Sequence, residues 1–111
     1  MTTLANSNVD GVNILRIAGN LDHDGVDAIK SQFTKKLTDG PVVVDLTGVD
    51  LICTPGIGML LAAHRELQRL GGRMIIAGAG KRVSEVLRTC QLDRVLTLVP
   101  AEADAIKRAK K

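Results

Sequence analysis

Residues 50–59 read Asp50-Leu51-Ile52-Cys53-Thr54-Pro55-Gly56-Ile57-Gly58-Met59. An apolar run at residues 41–46 precedes them and an amphipathic run at residues 57–70 follows, so Thr-Pro-Gly falls where a strand hands over to a helix. Thr54 suits the N-cap, because a hydroxyl oxygen there accepts from a first-turn amide, and Pro55 suits the first helical position, whose N–H would be unpaired anyway. Gly56 leaves the backbone open to close approach. The free amides and the positive end of the helix dipole would stabilise an anion, either a ligand or a phosphoryl group on Thr54. The same residues also make an ordinary helix cap, and a motif this short does not separate the two.

Working outward, Val42-Val43-Val44 reads as a strand buried on both faces, of the kind parallel sheets contain. Val12, Ile14 and Ile17 belong to an earlier strand, and Asp10-Gly11 before it is a two-residue hairpin signal pairing it with a weaker strand at residues 4–9. Residues 19–24 read as a polar turn ending in cap candidates. Val26, Ile29, Phe33 and Leu37 then recur at helical spacing until Asp39-Gly40-Pro41 stops the helix. Downstream, Ile57, Leu60, Leu61 and Leu67 line one face of a helix that ends at Gly71-Gly72, and an apolar strand follows at residues 74–77. Val83, Val86, Leu87 and Cys90 mark the inner face of a shorter helix, residues 95–99 a last strand, and Pro100 the start of a C-terminal helix with Glu102 and Asp104 in its first turn. The alternation predicts an α/β fold in one domain spanning residues 1–111, a mixed, mostly parallel sheet of about five strands with an N-terminal hairpin and about four helices.

Composition narrows the function classes. With 111 residues the chain has the size of a single-core domain, and 45% hydrophobic with 24% charged residues is ordinary globular composition. The apolar stretches are too short to span a membrane, and the N-terminal residues lack the basic-then-apolar order of a signal peptide, so a cytoplasmic location is expected. Cys53 and Cys90 are too few for a disulfide scaffold and lack metal-ligand spacing, so both are expected to act as small buried hydrophobes. The net charge of +3 is local, since Lys107, Arg108, Lys110 and Lys111 crowd the last five residues. A basic helix end complements the helix dipole. Phe33 is the only aromatic, so no stacking platform for single-stranded bases exists and direct nucleic-acid binding is not expected.

Enzyme chemistry finds little support. His23 lies between Asp22 and Asp24, but adjacent residues on an ordered turn rarely converge on one point, and a solvated turn with an Asp cap is the better reading than a metal site. His64 falls on the apolar face between Leu60 and Leu67, as a packed or half-buried histidine. Ser31, Ser84 and the two cysteines have no identifiable base partner, so no nucleophilic triad can be assembled. Gly71-Gly72 ends a helix, and Gly78-Ala79-Gly80 lacks the Lys-Ser/Thr completion of a phosphate loop. The chain reads as a binding module, with no catalytic residue, cofactor or metal centre expected.

The run from Val42-Val43-Val44-Asp45-Leu46-Thr47-Gly48-Val49-Asp50 through Leu51-Ile52-Cys53-Thr54-Pro55-Gly56-Ile57-Gly58-Met59-Leu60-Leu61 resembles the signature of STAS domains, the family of anti-sigma factor antagonists and sulfate transporter tails. Gly19-Asn20-Leu21-Asp22 matches that family's Gly-x-Leu-Asp turn, and Leu70-Gly71-Gly72-Arg73, Val86-Leu87 and Leu92-Asp93-Arg94-Val95 resemble the second half of bacterial antagonists. The resemblance implies a partner-switching protein: the unphosphorylated antagonist binds an anti-sigma factor with an ATP-binding kinase domain and frees a sigma factor. The kinase phosphorylates a serine at the start of the helix after the third strand, and a metal-dependent phosphatase reverses it. Here the usual Asp-Ser-Ser-Gly is Cys53-Thr54-Pro55-Gly56, so the serine normally modified falls on Pro55, which has no hydroxyl. Thr54 is the nearest acceptor candidate, and as N-cap its oxygen would first have to leave the helix amides. Cys53 would respond to oxidants only if exposed and of lowered pKa.

Carried over residue by residue, the resemblance places partner contacts at Asp22, Cys53, Thr54, Pro55, Gly56, Ile57 and Met59. Met59 lies off the main apolar stripe, exposed at an interface or filling the core edge. For Asp22 a helix cap is the alternative role. Two other functions stay open at this level: an accessory subunit of an ABC-type lipid or small-molecule transporter, and a nucleotide- or anion-sensing module using the amides of residues 54–58.

Overall fold

The computed structural model describes residues 1–110. Strands β1 (Thr3–Val9) and β2 (Val12–Leu21) form a hairpin; α1 (His23–Lys35), β3 (Pro41–Ile52), α2 (Thr54–Leu70), β4 (Arg73–Ala77), α3 (Lys81–Thr89), β5 (Thr97–Val99) and α4 (Glu102–Ala109) follow. The sheet order is β1-β2-β3-β4-β5, with β1 antiparallel to β2 and every other neighbour parallel. The hairpin turn is tight because Asp10 (φ 52°) and Gly11 (φ 80°) both adopt left-handed backbone, matching the twist of the strands they join. Gly71 (φ 84°) ends α2 in the same way, its N–H and that of Gly72 turning back onto the carbonyls of Gln68 and Leu67.

The two faces of the sheet are covered unequally. Val26, Ile29 and Phe33 of α1, Leu60, Ala63 and Leu67 of α2, and Val83 and Leu87 of α3 close over Leu15, Ile17, Val42, Val44, Leu46 and Ile76. On the opposite face, α4 is the only helix among the described residues, laying Ala105, Ile106 and Ala109 over Ile14, Val43, Ile75 and Ala77. Strand alternation explains how one run, Val42-Val43-Val44, feeds both cores.

Strand ends differ from expectation. β2 runs on to Leu21 where a turn from Gly19 was expected, because β3 continues alongside it to Ile52 and supplies pairing partners. The long pairing includes irregularities: β3 carries an extra residue between Asp45 and Gly48, and another between Val49 and Ile52. At the first of these the Asp45 carboxylate accepts the Thr47 N–H at 2.8 Å, giving the displaced amide a partner. β5 is shorter than residues 95–99, since Leu92–Arg94 form a 3-10 turn that buries Leu92 and leaves Val95 50% exposed. Cys90 is also not the inner-face residue expected: it caps the C-terminus of α3 and is exposed. Cys53 is half-buried, so neither thiol is a core hydrophobe. Among the described residues no helix is long and apolar enough to cross a membrane.

Candidate functional site

The start of α2 is built by backbone pairing that extends past the end of β3. The Cys53 N–H donates to the Leu21 carbonyl at 3.0 Å, which holds Cys53 extended (φ −115°, ψ 178°) one residue beyond the last register pair, Leu21↔Ile52. Its carbonyl then accepts from Gly56 N (2.9 Å) and Ile57 N (3.1 Å), and the helix begins. Cys53 is therefore the N-cap, Thr54 the first helical residue and Pro55 the second, so the helix begins one residue earlier than the sequence pattern predicts. Pro55 fits there equally well, since second-position amides have no intrahelical partner either.

The shift changes what Thr54 can do. Among the described residues no side chain caps α2, and Thr54 is exposed, so modification of its hydroxyl displaces no cap contact, contrary to expectation. It also reduces the case for an amide cradle: Pro55 has no N–H, and the amides of Gly56 and Ile57 are turned onto Cys53. An anion would find few free donors.

Gly56 is buried because α2 starts against the end of β2. A Cβ there would come within 2.7 Å of the Leu21 carbonyl oxygen and 2.8 Å of Leu21 Cβ, so only glycine permits the approach. Asp22, next to Leu21, caps α1: its carboxylate accepts from Gly25 N at 2.8 Å. The Leu21–Cys53 hydrogen bond thus sets the Asp22 turn beside residues 53–56. Replacing Asp22 with alanine is expected to cost about 1 kcal/mol of stability, measurable by urea unfolding. An unchanged midpoint would show that the cap contributes nothing.

Ile57 is half-buried against the main core and Met59 is half-buried rather than exposed. Pro55 and Met59 line one wall of a groove of about 380 Å³ between α1 and α2, over Val26, Phe33 and Ala63. So Asp22, Cys53, Thr54, Pro55 and Gly56 share one end of the sheet, whereas Met59 lies further along the groove. His23 is exposed with Nε2 3.5 Å from Asp27, and His64 is half-buried. Among the described residues no cluster of histidine, cysteine or carboxylates forms a metal site.

A second polar constellation was not anticipated. On the α4 face, Arg16 grips Glu102 through two hydrogen bonds (2.8 and 2.7 Å) and reaches Ser7 at 2.6 Å. Arg16 and Asp45 are register partners on β2 and β3. Burial pushes the Asp45 carboxyl up, but the two donors of Thr47 and the Arg16 charge outweigh it and hold the group below the ordinary carboxylate range. A carboxyl depressed in the folded state stabilises the fold above its unfolded pKa, and that contribution is lost as pH falls through the folded value. The Asp45 share is therefore expected to be full above the ordinary carboxylate value, to fall as pH drops below it, and to be gone only below the lowered folded value. Acid titration of Asp45→Asn should show a flatter descent; identical slopes would remove Asp45 as the cause. The available sequence signal was a lone acid inside the apolar run 42–46.

The STAS domain profile matches residues 4–105. The chain is 27% identical over 78 residues to the anti-sigma F factor antagonist of Lysinibacillus sphaericus, covering 68% of this chain and 67% of that one. It is 23% identical over 99 residues to the anti-sigma F factor antagonist of Paenibacillus polymyxa, covering 86% and 85%. An anti-sigma factor antagonist from Mycobacterium paratuberculosis has the same fold, with a TM-score of 0.91 at 21% identity over 100% of this chain and 96% of that one. The chain belongs to the STAS domain family and shares its fold with the mycobacterial protein.

Proposed function

We propose that this chain is a partner-switching antagonist that binds an anti-sigma factor with an ATP-binding kinase domain in the cytoplasm and so releases a sigma factor. It works as a binding protein, without catalysis or cofactor. Asp22, Cys53, Thr54, Pro55, Gly56, Ile57 and Met59 form the docking end. The observation that supports the reading is the start of α2: an exposed Thr54 hydroxyl, engaged in no cap contact, stands one residue before Pro55, the position onto which the family resemblance carries the modified serine. Pro55 removes the ordinary acceptor, and Thr54 is the alternative, with a metal-dependent phosphatase to reverse its modification. A phosphoryl group there would add roughly −1.5 to −2 charge where the partner must seat.

The test is retrieval of partners from the native host by the tagged chain, with mass spectrometry of what is retained. Recovery of a kinase-type anti-sigma factor, and incorporation of phosphate from ATP that Thr54→Ala abolishes, is the expected result. Recovery of transporter ATPase subunits with no such kinase would overturn the sigma-pathway reading in favour of an accessory subunit.

A further inference from the structure

β1 closes one side of the sheet and lacks the charge, proline and bulge by which edge strands ordinarily avoid pairing. Its sequence, Thr3-Leu4-Ala5-Asn6-Ser7-Asn8-Val9, has neither charge nor proline in a chain that is 24% charged. Its register against β2 runs unbroken from Thr3↔Ala18 to Val9↔Val12, so no bulge twists it away. The opposite edge, β5, is only three residues long and offers far less.

Hairpin geometry says which backbone groups are free. The pair next to a two-residue turn exchanges both of its hydrogen bonds, so Val9, Ser7, Ala5 and Thr3 spend theirs on β2, and Leu4, Asn6 and Asn8 turn theirs outward. We infer that this edge pairs antiparallel with β1 of a second copy of this chain, about a two-fold axis at Asn6, joining the two five-stranded sheets into one.

A second copy is the occupant because the strand complements itself in that register. Asn6 faces Asn6, Ala5 faces Ser7 and Leu4 faces Asn8, all neutral. A charged residue on the axis would face its own like charge, and here there is none. The outward residues exchange about six backbone hydrogen bonds between the copies. Approach is open on the α4 face, since that helix lies over β3, β4 and β5, and Thr3 and Ala5 are exposed small residues. A closed two-fold pairing also consumes the edge on both copies, so association stops at two.

Sedimentation of the full chain from about 5 to 500 μM tests this, because a dimer in mass-action equilibrium gains population with concentration. The mass is expected to rise from 11.8 kDa toward twice that value. Asn6→Lys should raise the dissociation constant about tenfold or more by placing two ammonium groups on the axis. Thr97→Lys on the other edge should leave it unchanged. Hydrogen exchange on the unmodified chain provides a readout independent of any variant: the amides of Leu4, Asn6 and Asn8 should gain protection with concentration. A monomer throughout, a dimer indifferent to Asn6→Lys, a dimer lost in Thr97→Lys, or no gain in protection at those amides would each overturn the assignment.

Discussion

Phe33→Ala is expected to lower the unfolding free energy by about 3–5 kcal/mol, the largest stability loss among single side-chain truncations in this chain. Phe33 is the sole aromatic, is 1% exposed, and joins α1 to the core beneath α2. It also floors the groove between those helices, so truncation deepens a cleft that already exists instead of leaving a void its neighbours can close. Phe33→Leu, which keeps most of the volume, should cost about 1–1.5 kcal/mol. Urea unfolding measures both; a loss below about 1 kcal/mol for the alanine variant would mean that the helices re-close over the site.

Thr54→Glu is expected to weaken binding of the anti-sigma partner about 10- to 100-fold while leaving the fold as stable or slightly more so. The two effects separate because Thr54 is the first residue of α2 and exposed: a carboxylate there favours the helix dipole by about 0.3–1 kcal/mol yet sets a negative charge on the proposed docking end. Thr54→Ala removes no cap contact, so its stability should stay within about 0.5 kcal/mol of the unmodified chain, less than the roughly 1 kcal/mol that loss of an N-cap hydroxyl typically costs. Calorimetric titration of the recovered partner with all three forms distinguishes the outcomes. Equal affinity for Thr54→Glu would take Thr54 off the docking surface.

What could be read without coordinates was what depends on near neighbours in the chain. Asp10-Gly11 announced the hairpin, Val42-Val43-Val44 the central strand, Asp22 the cap of α1, and Gly71 the end of α2, because each acts through its own backbone or local periodicity. The misplaced features depend on distant partners. That α2 starts one residue before the expected point follows only once Leu21, 32 positions before Cys53, is known to accept its amide. β2 and β3 outlast their apolar runs because each supplies the other's ladder. Cys90 fell in helical phase with Leu87 yet came out exposed, since α3 ends just before it. Arg16 and Glu102, 86 residues apart, share no local pattern at all.

The hydrogen bond from Cys53 to Leu21 and the close seat of Gly56 on that same residue lock two chain reversals, one leading into each helix, into a single rigid ledge. Whatever lands on it meets a preformed surface. Little of the contact free energy is then consumed in ordering loops. Capture speed is set by diffusion and charge, and lifetime by the contacts themselves, so sequence changes on this ledge should act on departure far more than on arrival.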